Sequence, residues 1–264
     1  MRLFTAEALI LDVFDLHDRD RIVTFLTREQ GKKKGVAQGA KTKHSRFQGQ
    51  LQPLAKVEIT WFEKEGRDLG RLSSVELVRP AHRLQEDLDG ILTGSYLADH
   101  VLEFAQENEA SDLLYRLLDS TLEALIEGVD RDLGARYFEA WVLRLSGIFP
   151  SPQECPVCGQ PFVGGAILPA GGDMLLCFNC GAGGSGIAGG GQEGRGGPGR
   201  LIVGPEALTF LRRIGRENLQ TVALAAPGPQ VLRQAEEVSC RVRRQFLQRE
   251  LRSYEVIHKT RMGM

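Results

Sequence analysis

AKVEITWF, residues 55–62, alternates in character: Val57, Ile59 and Trp61 are apolar, and Lys56, Glu58 and Thr60 stand between them. A period of two in β-branched and aromatic residues marks a strand with one face in a core and the other in water. The stretches around it are of the same type. Ala8 to Phe14, Arg21 to Thr27, Gly31 to Gly39 and Leu72 to Val78 are rich in Val, Ile, Leu and Thr, and turn residues or glycine separate them. Five short strands in succession predict a small closed barrel. An OB-type barrel is the first choice, because it has five strands and commonly binds nucleic acid, and a five-stranded SH3-like barrel is its rival.

After Pro80 the period lengthens. Leu84, Leu88, Leu92 and Tyr96 trace a helix that continues through Leu102 and Ala105. Ser111 and Asp112 read as an N-cap ahead of Leu114, Leu118, Leu122 and Leu125, with Gly128 as the stop. Leu133, Tyr137, Trp141 and Leu145 form a third helix ending near Gly147 and Pro150. Pro205 suits the first position of a helix running to Ile214, and a last helix is expected from about Gln230 to Ser253. The expected fold class is therefore α+β. A five-stranded barrel domain over residues 1–80 precedes a helical domain over 81–264, into which a zinc-ribbon-like loop, 150–181, and a glycine-rich flexible segment, 181–199, are inserted.

The chain has 264 residues, 42% of them hydrophobic, enough to bury a real core. Met1 to Leu11 contains no apolar h-region, and no run approaches the roughly eighteen apolar residues of a membrane helix, so a soluble, cytoplasmic protein is expected. The formal net charge is −1, which excludes a globally basic nucleic-acid binder. The charge is nevertheless segregated. Lys32, Lys33, Lys34, Lys41, Lys43 and Arg46 crowd one segment with the single acid Glu29 between Arg28 and Arg46, and Arg241, Arg243, Arg244, Arg249 and Arg252 crowd another. The compensating acids fall around Glu86 to Asp89, Glu103 to Asp112 and Asp119 to Asp132. Such a distribution allows a local positive surface on a neutral molecule.

The strongest motif is a pair of CxxC units, Cys155-Pro156-Val157-Cys158 and Cys177-Phe178-Asn179-Cys180, each followed by glycine. Two such knuckles converge four thiolates on one tetrahedral ion, and in an unexported chain they indicate metal rather than disulfides. Zinc in a four-thiolate site has no open position, so its expected role is structural. Cys240 stands alone and reads as a buried thiol.

Other patterns fail as chemistry. Asp12, Asp15, His17, Asp18 and Asp20 could serve a metal nuclease, but they crowd a segment between two strands where a charged hairpin is ordinary. Gly35 to Thr42 misses the phosphate-binding loop because Ala40 stands where glycine is required. Gly184, Gly186 and Gly189 match a dinucleotide fingerprint only inside a glycine tract. No G-x-S-x-G or H-E-x-x-H occurs, and no catalytic set is expected. What remains is the basic segment. Lys32 and Lys34 share one face of a strand, and Lys41, Lys43 and Arg46 follow on a loop, where they could track phosphates.

The stretch Asp20 to Leu54, DRIVTFLTREQGKKKGVAQGAKTKHSRFQGQLQPL, and the passage Tyr137 to Gly159, YFEAWVLRLSGIFPSPQECPVCG, resemble the bacterial recombination mediator RecO family, and the order of parts fits over nearly the whole chain. The resemblance implies an N-terminal OB-fold, a helical domain and, in many members, a zinc-ribbon-like loop. It implies binding of single- and double-stranded DNA, annealing of complementary strands and, with RecR, assistance to RecA on strands coated by single-strand-binding protein. The implied partners are RecR, through the barrel, and the acidic C-terminal tail of single-strand-binding protein. The family's basic positions on the third strand fall on Lys32 and Lys34. This chain differs at Gln38, where a basic residue is frequent, and at Lys33, where an apolar one is usual. A zinc-ribbon interaction protein that does not itself touch DNA is the alternative.

Overall fold

The computed structural model describes residues 2–64, 66, 69–182 and 199–262. The glycine-rich segment expected over 181–199 therefore lies almost wholly outside the described residues. Five strands, β1 (Arg2–Leu16), β2 (Asp20–Thr27), β3 (Gly31–Ala37), β4 (Lys56–Glu63) and β5 (Gly70–Arg79), close into a barrel in the order β1-β2-β3-β5-β4. The expected OB-type barrel is thus present. β1 is longer than its sequence suggests because it serves two neighbours: Arg2 to Leu9 pairs with β4, and Ala8 to Leu16 pairs with β2. The register shifts between Ile10 and Asp12, an irregularity of the kind that lets one strand bend around a barrel. β3 meets β5 in parallel at Gly35 and Val36, which closes the circuit.

The alternation of the opening stretch is realised in β4. Val57, Ile59 and Trp61 are buried, and with Ile10, Val23, Phe25, Leu72 and Val75 they fill the barrel. Each such side chain contributes roughly 1.5–3 kcal/mol on burial. Phe47 and Leu51, from the long β3–β4 loop, belong to the same core, so that loop is anchored in the barrel.

The chain divides into two compact units, Met1–Arg131 with Leu251–Met264, and Asp132–Glu250. In the first unit a 3₁₀ turn (His82–Gln85) leads to α1 (Leu88–Phe104) and α2 (Asp112–Ile126), and α8 (Arg252–Met262) packs on α1. The helix expected through Leu84 starts later. Asp87 caps it by accepting the Gly90 N–H at 2.8 Å, and its carboxylate is also forked by Arg131 at 2.6 and 2.8 Å. Ser111 stands at the N-cap of α2 as expected, but its hydroxyl donates to the Glu109 carbonyl instead of capping.

The second unit holds α3 (Arg131–Leu145) from Asp132 onward, β6 (Ala166–Leu168) paired with β7 (Leu201–Val203), the short α4 (Phe178–Gly181), α5 (Pro205–Ile214), α6 (Leu219–Leu224) and α7 (Pro229–Leu247). The single last helix expected to Ser253 is two helices. Gln248 takes a left-handed conformation at φ 55°, its N–H closes on the Arg244 carbonyl, and the chain turns before α8. Among the described residues no helix is long and apolar enough to cross a membrane.

Candidate nucleic-acid interface and metal centre

The basic segment occupies β3 and the loop that follows it. The loop is built from successive turns, Ala40 N–H to the Ala37 carbonyl, Thr42 to Gly39, Ser45 to Thr42 and Gln48 to Ser45. It is tied to the β1–β2 hairpin by the Lys41 N–H on the Arg19 carbonyl (3.0 Å) and by the Gly39 N–H on Asp20 Oδ1 (2.8 Å). With Phe47 sunk in the core, Lys41, Lys43 and Arg46 are held on the exposed side of a fixed loop.

The five cations differ in how far they are committed. Lys43 makes no hydrogen bond or ion pair among the described residues and is exposed. Arg46 donates to the Leu72 carbonyl at 3.3 Å and stacks over Phe47. Lys41 pairs with Asp15 at 2.8 Å. Its hydrogen bond is the main reason the Asp15 carboxyl is held below the usual carboxylate range. Lys34 pairs with Glu107 at 2.8 Å. Lys32 donates to the Leu102 carbonyl at 2.6 Å and is half-buried, and desolvation holds its ammonium below the ordinary lysine value. The segment between α1 and α2 thus covers the start of β3. Its backbone pairs with Lys32 through Gln106 and Asn108, and Ser111 donates to the Arg28 carbonyl. Gly31, at φ 63°, lies so close that a Cβ would stand 1.9 Å from the Glu109 carbonyl oxygen.

Lys33, one of the two expected departures from the resembling family's pattern, points inward and is 8% exposed. Its ammonium meets Glu63 at 2.7 Å and Asn108 at 2.8 Å. The acidic run has structural work: Asp15 serves Lys41 and Arg21, Asp20 holds the loop, and Asp12 accepts its neighbour's N–H at 2.7 Å. Among the described residues these carboxylates form no metal-holding group. The second arginine run is no continuous solvated face either. Arg243 is fully buried against Glu250 at 2.5 Å, Arg244 pairs with the same carboxylate at 3.0 Å, and Arg241 donates to the Leu168 and Gly199 carbonyls.

The cysteines converge as their spacing requires. All four Sγ atoms of Cys155, Cys158, Cys177 and Cys180 lie within 4.8 Å of one another, and none is in a disulfide. The first knuckle is a tight turn in which Gly159, at φ 69°, donates to the Cys155 carbonyl at 2.8 Å. In the second, Cys177 caps α4 by accepting the Cys180 N–H at 3.4 Å. Cys158 Sγ and Cys177 Sγ are 3.7 Å apart, the edge of a tetrahedron with bonds of about 2.3 Å to a central ion. Burial raises the Cys155 thiol, but backbone N–H groups of Cys177, Cys158 and Val157 outweigh it and bring the thiol to about 6. Cys180, crowded by the sulfurs of Cys177 and Cys158, is pushed up to about 12. Four sulfurs this close cannot all ionise without a cation among them, so the donor set fits a metal ion.

Sequence reasoning does not single out Phe14 or Arg71. Only the cross-strand register, Phe14 to Ile22, Ile22 to Val36 and Val36 to Arg71, sets these four residues in one row on the outside of the barrel.

Residues 1–81 match the family model for the Recombination protein O N terminal domain, and residues 85–255 match that for the Recombination protein O C terminal domain. Curated relatives carry the name DNA repair protein RecO. One from Anaeromyxobacter dehalogenans strain 2CP-C is 33% identical over 230 residues, 86% of each chain. One from Geobacter sulfurreducens is 35% identical over 182 residues, 69% of this chain and 74% of the relative. One from Anaeromyxobacter sp. strain K is 35% identical over 176 residues, 66% of this chain and 69% of the relative.

Proposed function

Because the chain belongs to the recombination protein O family, we propose that it is a DNA-binding mediator of recombination and repair, without catalytic chemistry of its own. It binds single- and double-stranded DNA and anneals complementary strands. With RecR, it assists loading of RecA on strands coated by single-strand-binding protein. It works in the cytoplasm at the nucleoid. Residues 1–80 are the DNA-binding barrel domain and 81–264 the helical domain; RecR docks on the barrel, and the acidic tail of single-strand-binding protein docks on the helical body.

The observation that carries this reading is the anchored loop of Lys41, Lys43 and Arg46 beside Lys32 and Lys34, on a barrel of the OB type. Two strands repel each other through dense phosphate charge, and a few cations on a rigid surface can hold both close while an overall net charge of −1 limits indiscriminate wrapping. The five residues are the proposed phosphate contacts. Cys155, Cys158, Cys177 and Cys180 would hold a structural Zn²⁺. Four thiolates would leave such an ion no open position, so these cysteines would use it to tie the two knuckles together rather than to activate water.

A specific observation favours the second reading, a zinc-ribbon interaction protein without direct DNA contact: Lys32, Lys34 and Lys41 are already engaged by Leu102, Glu107 and Asp15. Annealing of complementary strands, bare and coated by single-strand-binding protein, decides between the two. Acceleration without ATP that fades with salt supports the mediator. No binding of the pure protein to DNA at low salt leaves the interaction protein, and acceleration that needs ATP hydrolysis by this chain overturns both.

A further inference from the structure

Phosphate contacts alone do not tell a single strand from a duplex; an exposed π-face does, because only unpaired bases can stack on it. Phe47, the one aromatic residue within the basic segment, is buried in the barrel core and cannot serve. Phe14 can. It is 56% exposed, and no ring or cation among the described residues covers it.

The alternation of β1 explains why this ring faces water. Val13 packs toward the core and pairs with the buried Val23, so Phe14 and its partner Ile22 take the outer face. The same register continues through Val36 to Arg71, which is exposed and has no ion pair among the described residues. Three strand spacings make the row about 14 Å long. A ring stands at one end, a planar guanidinium at the other, and aliphatic side chains lie between. In the neighbouring row, Asp12, Thr24 and Lys34, Thr24 is buried and Asp12 half-buried, so Lys34 alone brings a proposed phosphate contact alongside. Next to Phe14 in sequence, Asp15 has its charge taken up by Lys41 and Arg21, and Arg46 reaches the Leu72 carbonyl beside Arg71.

We infer that Phe14, with Arg71 across the same row, is a stacking platform for unpaired bases and makes this surface prefer single strands over duplex. The inference rests on the proposed DNA-binding function and adds to it the residues that set strand preference. Single-stranded DNA fits better than a protein partner because Arg71 within the row and Arg46 beside it have no ion pair among the described residues, and Lys34 and Lys41 flank the row in exposed pairs with Glu107 and Asp15 that a phosphate can displace. A guanidinium and a ring both accept the face of a base.

The test uses the full chain with two probes, a labelled oligodeoxythymidine and a duplex of the same length. Phe14→Ala removes an exposed ring and should leave the fold intact. It should weaken oligodeoxythymidine binding about tenfold, within the range of one lost base stack, while duplex binding stays within twofold. Phe14→Trp should keep the affinity, and the added indole emission should be quenched by the single strand and not by the duplex. Lys34→Glu should weaken both probes alike. Unchanged oligodeoxythymidine binding by Phe14→Ala, or equal loss on both probes, overturns the platform while leaving DNA binding in place. If the parent protein binds neither probe at low salt, the function proposed above falls, and the platform with it. Altered self-association of Phe14→Ala in sedimentation, with DNA binding unchanged, would assign the row to protein contact instead.

Discussion

Replacing Glu63 with leucine should destabilise the barrel more than replacing its partner Lys33, although both changes delete the same ion pair. The Lys33 ammonium sits 2.7 Å from Glu63, 2.8 Å from Asn108 Oδ1 and 5.8 Å from the Phe4 ring centre, with its side chain 8% exposed. Glu63 is 28% exposed and also accepts the Trp61 indole N–H at 2.7 Å. Breaking a fully buried pair costs about 3–5 kcal/mol, whereas an exposed pair is worth about 0.2–1 kcal/mol. Glu63→Leu leaves a nearly buried ammonium with only Asn108 and a ring face, so its cost should fall between these, at about 2 kcal/mol. Lys33→Leu leaves a carboxylate that water can reach and that keeps the Trp61 N–H, so its cost should stay below about 1 kcal/mol. The double variant should resemble Lys33→Leu alone, which means a coupling of about 2 kcal/mol, the whole cost of Glu63→Leu. Urea unfolding in a Trp141→Phe background measures this, because Trp61 is then the only indole and reports the barrel. Burial would raise the Glu63 carboxyl, but the hydrogen bonds from Lys33 and Trp61 hold it below its ordinary 4.5. A depressed carboxyl contributes stability that is complete above the unfolded value and is lost as pH falls through the folded one. The gap between the parent and Glu63→Leu should therefore narrow below about pH 4.5. Equal and additive costs for the two single changes, or a gap independent of pH, would refute the reasoning.

Three further outcomes are expected. Protein purified without chelators should carry one zinc per chain by metal analysis. Serine at any of Cys155, Cys158, Cys177 or Cys180 should lower that content while DNA binding survives in part, the barrel being in the other compact unit. Glu107→Gln should raise DNA affinity at low salt by up to about fivefold, the equivalent of one exposed ion pair released from Lys34, and the gain should vanish at high salt. Lys32→Glu with Lys34→Glu should bind much more weakly at moderate salt and flatten the dependence of log affinity on log salt by about one unit per lost contact. An unchanged slope would remove these two lysines from the interface.

Local pattern decided most of the architecture. The alternation of Val57, Ile59 and Trp61 is a property of neighbouring residues, and hydrophobic burial reads it directly, so strand β4 and its inward face follow from the sequence. The two CxxC units are equally local. Each knuckle places its own pair of sulfurs, and the fold had only to bring the pairs together. Helix ends depended on competition between nearby groups. Asp87 won the cap that starts α1, and the left-handed Gln248 broke the last helix, which periodicity alone cannot foresee.

Charge is where sequence and tertiary structure part. Along the chain, the cations between Arg28 and Arg46 and the acids after Glu86 are separate blocks. In space, Lys34 meets Glu107, Lys56 and Arg79 meet Asp119, and Lys33 turns inward to Glu63. The sequence by itself determined the barrel, the helices that follow it and the thiolate cluster, because burial and chelation act on residues near one another in the chain. Which cations stay open to a phosphate, and that Phe14 shares a row with Arg71, was decided only by strand register and by the packing of the α1–α2 segment on β3. Coulombic pairing depends on separation in space, and side chains 73 residues apart in sequence stand 2.8 Å apart once the chain is folded.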